Sequence, residues 1–227
     1  MISVLGNGFL TFNGGGFEFV FDADAQNYII QAGITNLTQK LALNDLCLDL
    51  KAYGIWDQCI GLYPFIGGSA STHKYNLKNP QDTNASYRLA FSGTWVHSST
   101  GISGNGTNTY ANTFFSATAL TFSDNHISLY SRTVGTNSTT ETTMGGGADV
   151  NGNNWFSLFS RRQTSNNAGY DCGGSAAAAN RASVAITDGS GFFLGKANSL
   201  TSMLYRNGSV IATKALHQHH SIHQQFI

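Results

Sequence analysis

Between residues 63 and 113 the sequence reads YPFIGG (63–68), THKYNLKNP (72–80), YRLAFSGTW (87–95) and NGTNTYANT (105–113). Apolar and aromatic residues come in short runs here, and Gly, Asn, Ser and Thr separate the runs with very few charges. Short apolar runs bounded by turn-forming residues are typical of β-strands. The pattern predicts a β-sandwich with elaborate loops.

The same pattern extends toward both ends of the chain. Two strands are predicted at 9–12 and 17–21, around a turn at 14–16, because Phe17, Phe19 and Phe21 recur with a period of two. Further strands are predicted at 88–96, 110–115, 119–123, 126–132, 139–144, 155–161, 183–187, 191–196 and 202–213. The last of these is a hairpin, because Asn207-Gly208 suits the two positive-φ positions of a type I′ turn. Many short strands without a fixed repeat favour a sandwich or barrel.

The sequence of residues 22–60 predicts a short helical insertion in the sandwich. Asp22 or Asp24 is expected to cap a helix that runs through 27–31 and ends at Gly33. A second helix is expected from residue 35 or 36 to residue 53, with a further turn at 55–59. Its apolar stripe contains Leu43, Leu46, Cys47, Leu50 and Tyr53, and leaves Lys40, Asn44 and Asp45 outside. We therefore expect a single domain over 1–215 with this insertion.

Composition excludes several classes of protein. Net charge is zero and only 11% of residues are charged, so the chain lacks the basic face that nucleic-acid binding requires. No run of about 20 apolar residues predicts a membrane span. The first residues lack the features of a secretory signal. Cys47, Cys59 and Cys172 are too few and odd in number for a disulfide framework, so we expect free thiols, buried in the fold.

Several segments resemble the concanavalin-A-like (laminin-G-like) jelly-roll domains of bacteriophage virion proteins. They are residues 32–35, 50–56, 63–68, 73–78, 88–95, 97–101, 105–108, 130–132, 191–195 and 205–208. The resemblance implies an all-β jelly-roll sandwich with a short helical insertion near the N-terminus. It further implies a capsid, tail or fibre component, made in the bacterial cytoplasm without a signal peptide. Other virion subunits, host-surface glycans and further copies of the chain are the partners it implies; it brings no catalytic residues.

The C-terminal tail, 216–227, departs from that resemblance. Domains of the group continue past the last hairpin with another strand and a closing helix, whereas this tail is rich in His and Gln, so we expect a truncated or altered end. His217, His219, His220 and His223 have the ligand type that zinc and nickel prefer. The simpler interpretation is a solvated terminus that binds metal only adventitiously.

Carbohydrate recognition would stack an exposed aromatic ring on a sugar while amides and arginine bond the hydroxyls. The candidate residues are Trp95, Tyr110, Asn108, Asn112, Trp155 and Arg161. Both tryptophans are expected to be at least partly buried. Calcium could order such loops through Asp149 and Asn151, although ordinary Asx turns explain these residues as well, and no cofactor is required.

Three functions remain open from the sequence. The leading hypothesis is a non-enzymatic structural or adhesion domain of a phage particle that contacts a glycan or a neighbouring subunit. The second is a polysaccharide-degrading glycoside hydrolase or lyase, although Glu18 and Glu141 are far apart in sequence and no carboxylate pair is evident. The third is a decoration protein without a ligand. Separately, His73 and His97 are expected to meet near Lys74 and Trp95 in a polar pocket, each as a hydrogen-bonded structural histidine.

Overall fold

The computed structural model describes residues 9–13, 16–85, 88–115, 124–135, 143–145, 156–162, 165–173 and 180–216. Backbone proximity groups the chain into two compact units, Met1–Phe115 and Ser116–Ile227. The fold is mixed but strand-rich, with helices in the N-terminal unit and several small antiparallel sheets. It is therefore not all-β, and a jelly roll is not evident among the described strands. A single domain over 1–215 stays a prediction.

The N-terminal unit begins with an antiparallel hairpin and two capped helices. Strands β1 (Phe9–Asn13) and β2 (Gly16–Val20) pair first. Helix α1 (Ala23–Ala32) follows the N-cap Asp22, whose side chain accepts the backbone N–H groups of residues 24 and 25, and it ends at Gly33 in the left-handed conformation. Helix α2 (Leu37–Ala52) has Asn36 as its N-cap. These local signals confirm the predicted helices.

The rest of this unit consists of short elements. A 3₁₀ turn (Trp56–Gln58) and a four-residue helix α3 (Ala70–His73) precede two small antiparallel pairs. Strand β3 (Ala90–Ser92) pairs with β6 (Tyr110–Asn112), and β4 (Val96–Ser98) pairs with β5 (Gly101–Ser103). The prediction of one strand over 88–96 is wrong, because Gly93 adopts a positive φ of 79° and breaks it.

The core of the N-terminal unit confirms Leu43, Cys47 and Leu50 of the predicted α2 stripe, but not the remaining members of that stripe. Asn44 is completely buried, and its Oδ1 accepts the backbone N–H of Asp22 at 2.7 Å. Leu46 and Tyr53, assigned to the apolar stripe, are exposed. The stripe prediction is thus wrong for these three residues. The buried core consists of Ala25, Tyr28, Ile29, Ala32, Ile34, Leu43, Cys47, Trp56, Tyr75 and Leu77.

The described strands of the C-terminal unit form two four-stranded antiparallel sheets. The first has the order β11-β10-β9-β8 and the second the order β14-β13-β12-β7. The strands of the first are β8 (Thr143–Gly145), β9 (Phe156–Phe159), β10 (Asn167–Cys172) and β11 (Arg181–Ala185). Those of the second are β7 (Asn125–Ser131), β12 (Gly191–Ala197), β13 (Thr201–Arg206) and β14 (Ser209–Ala215).

The two sheets share one apolar core, to which both contribute. Leu158 and Tyr170 come from the first sheet, and Phe193 and Leu204 from the second, and all four are buried. The predicted hairpin is confirmed: Asn207 and Gly208 have φ of 48° and 82° between β13 and β14. Strand β10 had not been predicted, and the strand predicted at 119–123 lies outside the described residues.

No helix in the described part of the chain is both long and apolar enough to cross a membrane.

Candidate functional site

The most prominent exposed aromatic among the predicted site residues is Tyr110, on the β3–β6 pair. Tyr110 lies opposite Ser92, and Asn112 lies opposite Ala90. Successive side chains of a strand point to opposite faces, so Tyr110 and Asn112 share one face. Tyr110 is 62% exposed, whereas Phe91 on the other face contacts the rings of Trp95 and His97. The ring of Tyr110 is thus presented to solvent from a pair that is packed on its other side.

Two exposed amides accompany this tyrosine. The Oδ1 of Asn112 accepts the backbone N–H of Phe114 at 2.8 Å, and the Oδ1 of Asn108 accepts from Asn105 Nδ2 at 2.7 Å. Asn105 also accepts the N–H of Asn108, so an Asx turn orders this loop. Within the described residues, the Nδ2 groups of Asn108 and Asn112 bond no protein atom. Both amides therefore have donors available for a ligand.

Trp95 supports this face and is itself partly buried. Its Nε1 donates to the carbonyl of Ser92 at 2.9 Å, and its ring lies edge-on to Phe91 with 5.7 Å between the centroids. A Cβ at Gly93 would lie 2.7 Å from the carbonyl oxygen of Asn108, so only glycine permits this close approach. The fold thereby holds the loop that carries Asn108 against the turn before Trp95.

The remaining predicted ligand residues belong to the C-terminal unit. Arg161 belongs to the C-terminal unit, where its guanidinium donates to the carbonyls of Val134 and Gly135 and to Asn166 Oδ1. It also lines an open depression with Asn166 and Thr187. Trp155 and the candidate metal ligands lie outside the described residues; the latter are Asp149, Asn151, His217, His219, His220 and His223. Among the described residues, no three His, Cys, Asp or Glu side chains gather as metal ligands.

His73 and His97 do meet, as the sequence predicted. Their Nδ1 atoms are 3.0 Å apart, which is a hydrogen bond between the two imidazoles. His73 ends the short helix α3, which is held by a capping box between Ser69 and Thr72. His97 lies on β4. The other ring nitrogen of His73, Nε2, accepts the backbone N–H of Gly68 at 3.2 Å.

The surroundings of this histidine pair are aromatic, not a polar pocket. Phe65 packs edge-on against His73 and Phe91 packs edge-on against His97. His73 is fully buried, and this burial, with a smaller contribution from the nearby His97, lowers the pKa of His73 to about 4. His73 is therefore neutral at physiological pH. The contribution of Phe65 and Gly68 had not been predicted. The signal in the sequence is the Gly67-Gly68 pair, which is typical of a turn.

Two aspartates of the C-terminal unit, Asp171 and Asp188, are paired with arginines. Asp171 is buried on β10, and its carboxylate accepts from Arg181 Nε at 2.6 Å and from Ser157 Oγ at 2.7 Å. Asp188 accepts from Arg206 at 2.8 Å and from Ser190, and these bonds lower the pKa of its carboxyl to about 2. Both carboxylates thus have structural partners.

The three cysteines are free thiols. Cys47 and Cys172 are buried, and burial raises the pKa of the Cys47 thiol to about 12. A thiol with such a high pKa carries almost no thiolate at neutral pH and is a poor nucleophile.

Comparison of the chain with protein-family models, with curated proteins and with solved structures found no match.

Proposed function

We propose that this chain is a non-enzymatic contact domain of a bacteriophage particle, which binds a host-surface glycan reversibly through the Tyr110 face. We define the Tyr110 face as Tyr110 with Asn108 and Asn112. The phage setting rests on the sequence resemblance, and the mode of contact rests on the geometry of this face. The glycan is held without breaking a bond.

We further infer that the two sheets of the C-terminal unit are the sandwich of a concanavalin-A-like jelly roll. Two facing four-stranded antiparallel sheets that bury Tyr170 and Phe193 between them support this proposal. A two-layered arrangement with one shared core is the architecture that such sandwiches have.

The single observation that carries the proposed contact is the presentation of Tyr110. A tyrosine ring that is 62% exposed on an ordered strand pair offers a flat apolar surface for the apolar side of a pyranose. Asn112, on the same face of β6 as Tyr110, and Asn108, two residues before Tyr110, each have a side-chain N–H donor for sugar hydroxyls. Because the Asx turn and Phe91 hold this face, little conformational entropy is lost when a ligand binds.

Replacing Tyr110 with alanine is expected to weaken glycan binding at least about tenfold, or about 1.4 kcal/mol, because an anchoring aromatic ring is removed. A glycan array with the purified chain identifies the ligand, and calorimetric titration of wild type and variant measures the loss. The matched control is Tyr130→Ala, which removes another exposed tyrosine, on β7 in the C-terminal unit.

Equal affinities for wild type and the Tyr110→Ala variant would show that the glycan binds elsewhere. If no glycan on the array binds but the chain assembles stably onto virion proteins, the natural ligand is a neighbouring subunit and not a glycan. Release of reducing ends from host capsule would favour the polysaccharide-degrading enzyme.

A further inference from the structure

The two bonds of His73 fix where the protons of the histidine pair lie. A backbone N–H can only donate, so His73 Nε2, which accepts from Gly68, carries no hydrogen. The proton of neutral His73 is therefore on Nδ1 and is donated to His97 Nδ1. A neutral His97 then carries its proton on Nε2. Each ring thus has one defined tautomer.

This pair cannot take up another proton without losing a bond. On neutral His73 the unprotonated ring nitrogen is Nε2, and a proton added there would face the N–H of Gly68. On neutral His97 the unprotonated ring nitrogen is Nδ1, and a proton added there would face the Nδ1–H of His73. A shift of the His73 proton to Nε2 would again oppose Gly68. Protonation at either ring therefore breaks the Gly68 bond or the bond between the imidazoles.

The loop that depends on these bonds has an unfavourable backbone conformation. Phe65 has a φ of 50°, which a bulky side chain rarely adopts, and Gly67 and Gly68 have φ of 88° and 87°. A Cβ at Gly67 would lie 2.8 Å from the side chain of Thr72. Such a conformation persists only when its surroundings hold it. The Gly68–His73 bond is one of the contacts that do so.

The neighbouring ionisable groups offer no charge that would stabilise an imidazolium. Lys74 follows His73 and is paired with Asp82 at 2.6 Å, and Asp82 also contacts Arg88. Tyr28 donates to the carbonyl of Thr72, and Tyr63 stacks on Phe65. Among the described residues, no carboxylate bonds to either imidazole. Acidification thus adds a cation that none of these described groups compensates.

We propose that the His73–His97 pair is an acid-released latch that fastens the loop at residues 63–68 to strand β4. At neutral pH the imidazole of His73 is uncharged and both bonds are intact. In acid, protonation breaks one of them, and the loop opens together with the β4–β5 hairpin. This device does not depend on whether the Tyr110 face binds a glycan.

The first test needs only the wild-type chain. Long-range proton–nitrogen NMR at neutral pH is expected to show His73 protonated on Nδ1 and His97 on Nε2. Hydrogen exchange, corrected for intrinsic rates, then measures the protection of the Gly68 amide. With a pKa of about 4 in the closed state and 6.5 in the open state, protection should fall about 20-fold between about pH 7 and about pH 5. Amides of α1 and α2 should keep their protection.

A double variant, His73→Gln with His97→Asn, tests the origin of this response. Gln can still accept from Gly68 through its Oε1, and neither new side chain titrates in acid. The acid response should therefore disappear, whereas the control His126→Asn, at an exposed position of β7, should retain it. The latch is refuted by a different pair of tautomers, by constant Gly68 protection down to about pH 4, or by equal opening of α1 and α2. The wild-type measurements test the proposed latch even if the double variant does not fold.

Discussion

Replacing Asp171 with alanine is expected to lower the free energy of unfolding of the C-terminal unit by about 3 kcal/mol. Asp171 lies opposite Ser157 on β9 and opposite Arg181 on β11, so one carboxylate joins three neighbouring strands. Its side chain is 4% exposed and that of Arg181 is 21% exposed. Loss of the carboxylate leaves a largely buried guanidinium without its counter-charge, which costs far more than an exposed ion pair contributes.

Hydrogen exchange of β9, β10 and β11 peptides in increasing denaturant measures this loss, and peptides from α1 and α2 serve as the internal reference. The matched control is Asp188→Ala, because Asp188 also bonds an arginine and a serine but has a side chain that is 43% exposed. Its effect should be clearly smaller. If both variants lose the same free energy of unfolding, burial does not explain the contribution of Asp171 to stability.

A second double variant separates the charge from the shape of this group. Asp171→Asn with Arg181→Gln removes both charges and keeps similar volumes, so it should recover part of the loss seen with Asp171→Asn alone. That recovery is expected because the cost of breaking a buried pair is mostly the unpaired charge that remains. An additive result would mean that the two side chains do not interact energetically.

Local chemistry made the helix ends and the last hairpin predictable. Asp22, Gly33 and Asn36 act within one turn of themselves, and Asn207-Gly208 specifies its own backbone conformation. Such signals depend on neighbours in sequence, so they can be interpreted without the rest of the fold.

The burial of Asn44 on α2 and the presence of strand β10 could not be predicted in the same way. Asn44 is polar, and it is buried because it accepts from Asp22, which lies 22 residues earlier. Strand β10 has the sequence NAGYDC, without any alternation, because both of its faces are covered. Asp171 and Gly169 lie on one of these faces, where Gly169 leaves room for the ring of Phe159. In each case the determining contact is distant in sequence.

In the candidate glycan site, the sequence analysis proposed several residues that are close to one another along the chain. Tyr110 and Asn112 lie on one face of β6, Asn108 lies in the loop before it, and their role in binding stays a prediction. The guanidinium of Arg161, another predicted ligand residue, donates to backbone carbonyls of its own unit. The meeting of His73 and His97 was predicted, but their tautomers follow only from the position of the Gly68 N–H.

Replacing Gly195 with valine is expected to destabilise the C-terminal unit by about 3 kcal/mol, because the core has no space for the added side chain. A Cβ at Gly195 would lie 2.2 Å from Cδ2 of Tyr170, a fully buried ring. Gly195→Ala should cost roughly half as much, since it adds only the Cβ and reduces the freedom of the unfolded chain. The control is Lys196→Val, which places the same residue at the next, exposed position of β12.

Coupling between Gly195 and Tyr170 also tests whether the two sheets face each other. Gly195 belongs to β12 in one sheet and Tyr170 to β10 in the other, so their contact lies across the interface on which the sandwich proposal depends. In a Tyr170→Ala background the missing ring leaves space for a Cβ, and Gly195→Ala should then cost little. Denaturant-dependent exchange of β10 and β12 peptides measures all four corners of this cycle. An unchanged cost of Gly195→Ala without the ring would mean that the sheets do not pack through these residues, and the jelly-roll proposal would then lose its structural support.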